Sequence, residues 1–226
     1  MCGRYAFYLP PSDLKKKLGL DNLLNIPPRY NCGPIQELPI IVKNRVGYGR
    51  WGFRPQWLKQ DDTVTAAKMI NARAETVAEK PAFAESWAKQ RRCLIPANGF
   101  YEWAKDKHTG VKQPYYIHDE AGALLLFAGL WSKVEGQVSF TILTKQADEN
   151  LAHLHHRSPV MVSCEQASSW FEVDGGGAMD FIEQSTTRIL DFHPVSTDVG
   201  KVANDYAALI NPVDVQAPYQ NTGTLI

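Results

Sequence analysis

Apolar positions in this chain come in short runs, with little of the 3.6-residue rhythm of long amphipathic helices. Runs at 38–43, 46–53, 93–96, 99–103, 114–118, 124–131 and 138–144 are rich in aliphatic and aromatic residues and bounded by Gly, Pro, Asn or Asp, which predicts strands. Asp119-Glu120-Ala121-Gly122 reads as a hairpin turn between two of them. Helices are fewer. Ser12 and Asp13, after Pro10-Pro11, can cap a short helix through Leu18 that Gly19 ends. A second runs over 81–91 from Pro81, with Phe83 and Trp87 on one face, and others are expected near 147–154 and 165–172. Gly175-Gly176-Gly177 reads as a loop. Many short strands with few intervening helices predict an α+β fold around a curved, mostly antiparallel, barrel-like β-sheet with peripheral helices. Strands do not alternate with helices and no Gly-rich phosphate loop is present, which argues against a parallel α/β sheet. With no internal repeat, low-complexity tract or Gly/Ser linker, residues 1–226 are expected to form one domain.

At 44% apolar and 11% aromatic, 226 residues suffice for one substantial core. The longest apolar stretch, Ala123–Ala128, is far short of the roughly 18 residues of a membrane span, so no membrane partner is expected. The start Met1-Cys2-Gly3-Arg4-Tyr5 lacks the features of a secretory signal, which predicts a reducing, cytoplasmic setting. The cysteines at 2, 32, 93 and 164 contain no C-x-x-C pair, so neither disulfides nor structural zinc is expected. The net charge of zero conceals an asymmetry: residues 1–113 hold 19 Lys and Arg against 10 Asp and Glu, and the remainder 5 against 14. Such a division can present a basic face to a polyanion or let the two halves pack on each other.

Cys2 stands out by its position. Removal of Met1 would place a free α-amine and a thiol on one residue. An α-amine, with an ordinary pKa of about 7.7–8.0, is partly neutral at cellular pH and can condense with an aldehyde, after which the thiol can close a five-membered thiazolidine. A lysine stops at the reversible imine and an internal cysteine at a hemithioacetal. Three further segments carry candidate chemistry. In 70–80, Asn71 and Arg73 share a face if extended, an amide beside a fork-shaped anion binder. In 91–103, Glu102 lies between Tyr101 and Trp103, surroundings that desolvate a carboxylate and suit it to proton transfer near neutrality. The segment His153-Leu154-His155-His156-Arg157 could supply an acid/base histidine beside a phosphate-binding arginine, a metal site or surface imidazoles; no acidic or cysteine cluster accompanies it, and neither metal nor cofactor is expected. Trp51, Phe53 and Trp57 alternate with Arg50 and Arg54, offering faces for nucleobases and cations for phosphates, or a core strand edged with charge.

Taken in order, these stretches resemble the SOS-response-associated peptidase (SRAP) family, whose members crosslink to abasic sites in single-stranded DNA. The resemblance spans nearly the whole chain: Met1–Arg4, Arg29-Tyr30-Asn31 with Pro34, Trp51–Pro55, the 70–83 and 91–103 segments, Gln113–Tyr116, Phe127–Trp131, His155–Pro159 and His193–Ser196. Two positions depart from the family pattern: His156, where Asp is common, and Ser158, where Met or Arg is common. The extra imidazole leaves open which histidine acts.

The resemblance implies a catalytic set of Cys2, Asn71, Glu102 and His155, with Arg4, Arg73 and Arg157 on DNA phosphates and Pro34 and Trp57 against bases near the lesion. Asn71 would hydrogen-bond the Cys2 backbone, Glu102 would shuttle protons as the sugar ring opens and the imine forms, and His155 would assist formation and reversal. The expected partner is single-stranded DNA containing abasic sites, bound by a monomer in a DNA-damage response, with self-removal of Met1 as a peptidase activity. Two other readings stay open: a cysteine peptidase using Cys2 and His155, and a non-covalent binder of single-stranded DNA.

Overall fold

A computed structural model describes residues 2–59, 62–105, 110–185 and 189–214. Thirteen strands are formed among them: β1 (Tyr5–Phe7), β2 (Arg29–Cys32), β3 (Glu37–Val42), β4 (Arg45–Trp51), β5 (Asn71–Arg73), β6 (Arg92–Ala97), β7 (Gly99–Lys105), β8 (Lys112–Asp119), β9 (Leu125–Val134), β10 (Gln137–Gln146), β11 (Arg157–Pro159), β12 (Met161–Val162) and β13 (Leu190–Pro194). The helices are short: α1 (Pro11–Leu18), α2 (Thr63–Ala67), α3 (Ala84–Ala88), α4 (Glu149–Ala152), α5 (Ala167–Glu172) and α6 (Gly177–Gln184). None of the described helices is long and apolar enough to cross a membrane.

The strands form two sheets. β3, β4, β10, β9 and β6 close on themselves, each bonded to the next and β6 back to β3, which removes the sheet edges and makes a five-stranded barrel. Only β4 and β5 run parallel to β10; the other pairings are antiparallel. β10 is the hub: its first part is held by β9 and β4, and its last residues protrude between β5 on one side and β11 on the other. The second sheet is open and wholly antiparallel, in the order β13-β8-β7-β1-β2.

Alternation along β7 divides the second sheet's faces. Phe100 points to the barrel, its ring edge-on to Phe127 of β9 at 5.8 Å, and Tyr5 meets the same ring at 6.2 Å. Tyr101 points the other way and, with Ala6 and Tyr116, is covered by Val195, Val199 and Leu209 from the segment after β13. Close approach requires glycine at two positions: a Cβ on Gly129 would lie 2.5 Å from the Thr141 carbonyl oxygen and 2.6 Å from Ile95 Cδ1, and one on Gly99 would lie 2.4 Å from the Tyr116 ring. Outside the barrel, α5 is held by a buried cation: Arg92 lies over Trp87 and Trp170 at 5.4 and 5.1 Å and donates to the carbonyls of Val173 and Asp174.

The seven predicted strands are all present, with ends shifted by up to three residues. The hairpin is corrected. Asp119-Glu120-Ala121-Gly122 does form a turn, in which Asp119 Oδ1 accepts from Ala121 and Ala123 and Gly122 takes a φ of 70°. Yet β8 joins the open sheet and β9 the barrel, so the turn passes the chain between layers. α1 ends at Gly19 with a φ of 60°, as expected, but starts at Pro11 without a side-chain cap from Ser12 or Asp13. α3 is confined to five residues after a turn, although Phe83 and Trp87 are both buried. The triple glycine leads directly into α6, whose first turn is held by Asp174 accepting from the Gly177 amide at 2.7 Å.

Candidate active site

Cys2 sits where the two layers meet. β1 pairs with β7 through Tyr5 and Phe100, and Tyr101 donates its amide to the Arg4 carbonyl at 2.9 Å, so the chain before β1 runs alongside the second half of β7. Glu102 follows there on the barrel-facing side. Across from it, Asn71 of β5 donates Nδ2–H to the Cys2 carbonyl at 2.8 Å, tying the start of the chain to the protruding end of β10. Asn71 Oδ1 is buried and finds no partner among the described residues.

Cys2 is fully buried, and its thiol makes a long contact of 3.8 Å with the Arg4 carbonyl. Burial, and then the negative charge of Glu102, push this thiol far above the usual thiol range, so it is protonated at neutral pH. Glu102 itself is only 5% exposed, and loss of hydration raises its carboxyl above the ordinary range. The desolvation expected of Glu102 is thus found, although Tyr101 and Trp103 face the other side of β7 and do not supply it.

His155 lies in the turn between α4 and β11, half-buried, with Nδ1 accepting the Arg157 amide at 2.9 Å. Burial lowers its pKa, so the ring is neutral at pH 7. His156 stacks on it at 4.3 Å, whereas His153 packs against Phe192 at 5.1 Å, so the three histidines do not converge. Among the described residues no three His, Cys, Asp or Glu side chains gather as metal ligands.

The expected DNA-contacting residues divide into two groups. Trp57, 62% exposed, lines a cleft of about 520 Å³ with Asn71, Arg73, Lys80 and Pro81, and Arg73 is exposed beside it. Pro34, partly exposed, lies in the turn after β2 beside Ile35, whose φ is 67°. The other two arginines are engaged within the protein. Arg4 donates to Asn31 Oδ1 and the Val199 carbonyl, both at 3.0 Å, and to the Gly200 carbonyl at 3.3 Å. Arg157 is held by Glu75 and by the Thr144 carbonyl. Of the two readings of Trp51, Phe53 and Trp57, the core strand edged with charge holds for the first two. Trp51 and Phe53 are core residues, Trp51 bonding the Ile70 carbonyl at 2.9 Å, and Arg54 is buried in an ion pair with Glu135 at 2.6 Å. Only Trp57 of the three presents its ring to solvent.

Sequence reasoning missed Lys80 on the cleft wall, Glu75 on Arg157, and buried Asn31, whose Nδ2 donates to the carbonyls of Val199, Lys201 and Asn204. Asn31 left no local signal, since β2 is a short strand of Arg, Tyr, Asn and Cys.

A family model described as SOS response associated peptidase (SRAP) matches residues 1–202. The chain belongs to the SRAP family. Among its relatives, the abasic site processing protein YoqW of Bacillus subtilis (strain 168) is 37% identical, over 93% of this chain and 99% of its own. The abasic site processing protein YedK of Escherichia coli (strain K12) is 30% identical over 94% and 100%, and the abasic site processing protein HMCES of Gallus gallus is 30% identical over 87% and 70%. The SRAP fold is also seen in a crystal structure of a Bacteroides thetaiotaomicron protein, with a TM-score of 0.80 at 22% identity over 94% of this chain and 100% of that one.

Proposed function

We propose that this SRAP protein processes abasic sites in DNA by covalent capture on Cys2, made N-terminal by removal of Met1, which lies outside the described residues. The observation that carries this reading is the clamp on Cys2: its carbonyl held by Asn71 at 2.8 Å, with the poorly hydrated Glu102 carboxyl beside its thiol. Asn71 Oδ1, buried without a partner, offers an acceptor for an N–H of the freed amine.

The chemistry follows from the protonation states. The thiol is protonated, so the first nucleophile is the neutral amine, which attacks C1′ of the ring-opened deoxyribose. Glu102, its carboxyl raised by burial, donates a proton to the departing hydroxyl, and water leaves to give the iminium. Sulfur then adds to the same carbon, the thiol proton returns to Glu102, and a neutral thiazolidine remains. Neutral His155 assists proton movement in the forward and reverse directions. A single strand can lay a base on Trp57 and its phosphates along Arg73 and Lys80, whereas a duplex must first be unpaired.

The same protonation states disfavour a cysteine peptidase acting in trans, which needs a thiolate beside an imidazolium. Burial and Glu102 oppose the thiolate, and burial opposes the imidazolium. Self-removal of Met1 remains part of the proposal as the peptidase step.

Intact mass spectrometry before and after incubation with an abasic single-stranded oligonucleotide tests the reading. The protein should first lack Met1 and then gain the oligonucleotide mass less one water. Imine and thiazolidine have equal mass, but borohydride adds hydrogen only to the imine, so the wild-type adduct should resist it, whereas Cys2→Ala should give at most an imine that borohydride reduces. An adduct on Cys2→Ala that borohydride does not reduce, or any adduct on a chain that retains Met1, refutes the mechanism.

A further inference from the structure

The Arg157 fork is occupied. Nη1 donates to Glu75 Oε1 at 2.6 Å and Nη2 to Oε2 at 2.8 Å, the two-pronged geometry with which guanidinium also grips a phosphate. Behind the fork, Nη2 donates to the Thr144 carbonyl at 2.5 Å, and Nε is buried. The arginine side chain is 11% exposed and that of its partner 48%, so the carboxylate covers the solvent side of the fork. Glu75 stands two residues after Arg73, in a single turn of 3₁₀ helix over Ala74–Thr76; Arg73 and Thr76 line the cleft with Lys80 and Trp57, whereas Glu75 faces the neighbouring hollow with Lys145, Asp148 and Glu183. The hydrogen bond from Arg157 holds its carboxyl below the ordinary range, so it carries a full negative charge at neutral pH.

We propose that Glu75 is a specificity-determining residue that occupies the Arg157 fork in place of a DNA phosphate and must swing out for the strand to be seated. This deepens the reading above. The backbone and Thr144 fix the arginine, so the two anions compete for one prepared site. Glu75, half in water, can rotate away without losing its hydration, whereas Arg157 cannot leave. The competition lowers the affinity for any undamaged strand, so that residence depends on the covalent step, which only a lesion supplies.

The test is equilibrium binding of a lesion-free single-stranded oligonucleotide to the wild type, Glu75→Gln, Arg157→Gln and the double variant, across a salt series. An ion pair open to water on its carboxylate side is worth about 0.2–1 kcal/mol, so Glu75→Gln should bind about 1.4- to 5-fold more tightly. An arginine no longer neutralised internally releases one more counterion, so the slope of log K against log[salt] should steepen by about 0.7. Both gains should vanish in the Arg157→Gln background. Unchanged or weaker binding by Glu75→Gln would overturn the proposal, because Glu75 would then be supporting Arg157. A gain that survives Arg157→Gln overturns it too, since Glu75 would act only as a distant charge. The covalent adduct with an abasic oligonucleotide is scored separately: its absence with the Glu75→Gln gain intact sinks the crosslinking chemistry and leaves the competition standing.

Discussion

Asn71→Ala isolates the contribution of one hydrogen bond to chemistry from its contribution to folding. The substitution deletes the 2.8 Å bond to the Cys2 carbonyl without touching the thiol, Glu102 or His155. A buried carbonyl left without its donor costs about 1–2 kcal/mol. For a domain of this size that lowers Tm by about 3–6 °C. The effect on rate should be larger than the effect on folding suggests, because the same bond aims the nucleophile: a displacement of about 1 Å costs roughly a hundredfold. Single-turnover crosslinking to an abasic single strand, quenched at intervals and resolved on a denaturing gel, should be about 10- to 100-fold slower. Anisotropy with an undamaged strand should show affinity little changed. Asn71→Asp supplies the control at constant size. Its carboxylate repels the Cys2 carbonyl and stabilises the protonated amine, so its deficit should shrink as pH rises. If Asn71→Ala melts earlier but crosslinks within about twofold of wild type, the bond is structural and the clamp argument fails. If the rate falls only as far as binding falls, Asn71 acts on the strand and not on Cys2.

Three further outcomes follow from positions already described. Trp57→Ala removes an exposed ring, so it should weaken single-strand binding by about 1–3 kcal/mol per stacked base while Tm stays put; a drop in Tm with intact binding would make Trp57 structural. Gly129→Ala forces a methyl against the Thr141 carbonyl and Ile95, an overpacking of about 1–3 kcal/mol, and thermal melting should fall by several degrees. His155 has a folded-state pKa lowered by burial, so the unfolded chain takes up the proton first. Its contribution to stability is complete above the ordinary value of 6.5 and is lost as pH falls through that value toward the folded one. His155→Gln should flatten this part of a chemical-denaturation profile, and an unaltered profile assigns the pH dependence elsewhere.

Legibility in the sequence followed element length and the locality of the cause. The seven long strands show themselves because each buries a run of apolar residues whatever its neighbours are. Arg29–Cys32, Asn71–Arg73 and Arg157–Pro159 are too short and too polar to read as strands, and become extended by pairing with β1 and β10. The turn at 119–122 was readable in its Asp and Gly, but its service between two layers depends on partners far along the chain. Asp174 ahead of the triple glycine was the local sign of α6, and it passed unread. Within the site, Glu102 was read correctly as desolvated, although its flanking aromatics face the opposite side of β7. The engagement of Arg4 and Arg157 was not legible, because their partners lie 27 and 82 residues away, at Asn31 and Glu75. Trp51 and Phe53 left two readings open for a related reason: an aromatic residue between arginines looks alike whether it faces a base or a barrel.

The segment after β13 anchors Arg4 and Asn31 through the carbonyls of Val199, Gly200, Lys201 and Asn204, and Asp205 adds an ion pair to Arg29. The chain around Arg4 and Asn31 is thus seated by a segment 168 to 196 residues further along. A nascent chain still on the ribosome carries Cys2 at its exposed end but lacks the pieces that fix its surroundings. The centre proposed around Cys2 is therefore assembled only after residues 199–205 have been made, so a shorter nascent chain meets the metabolite pool without it.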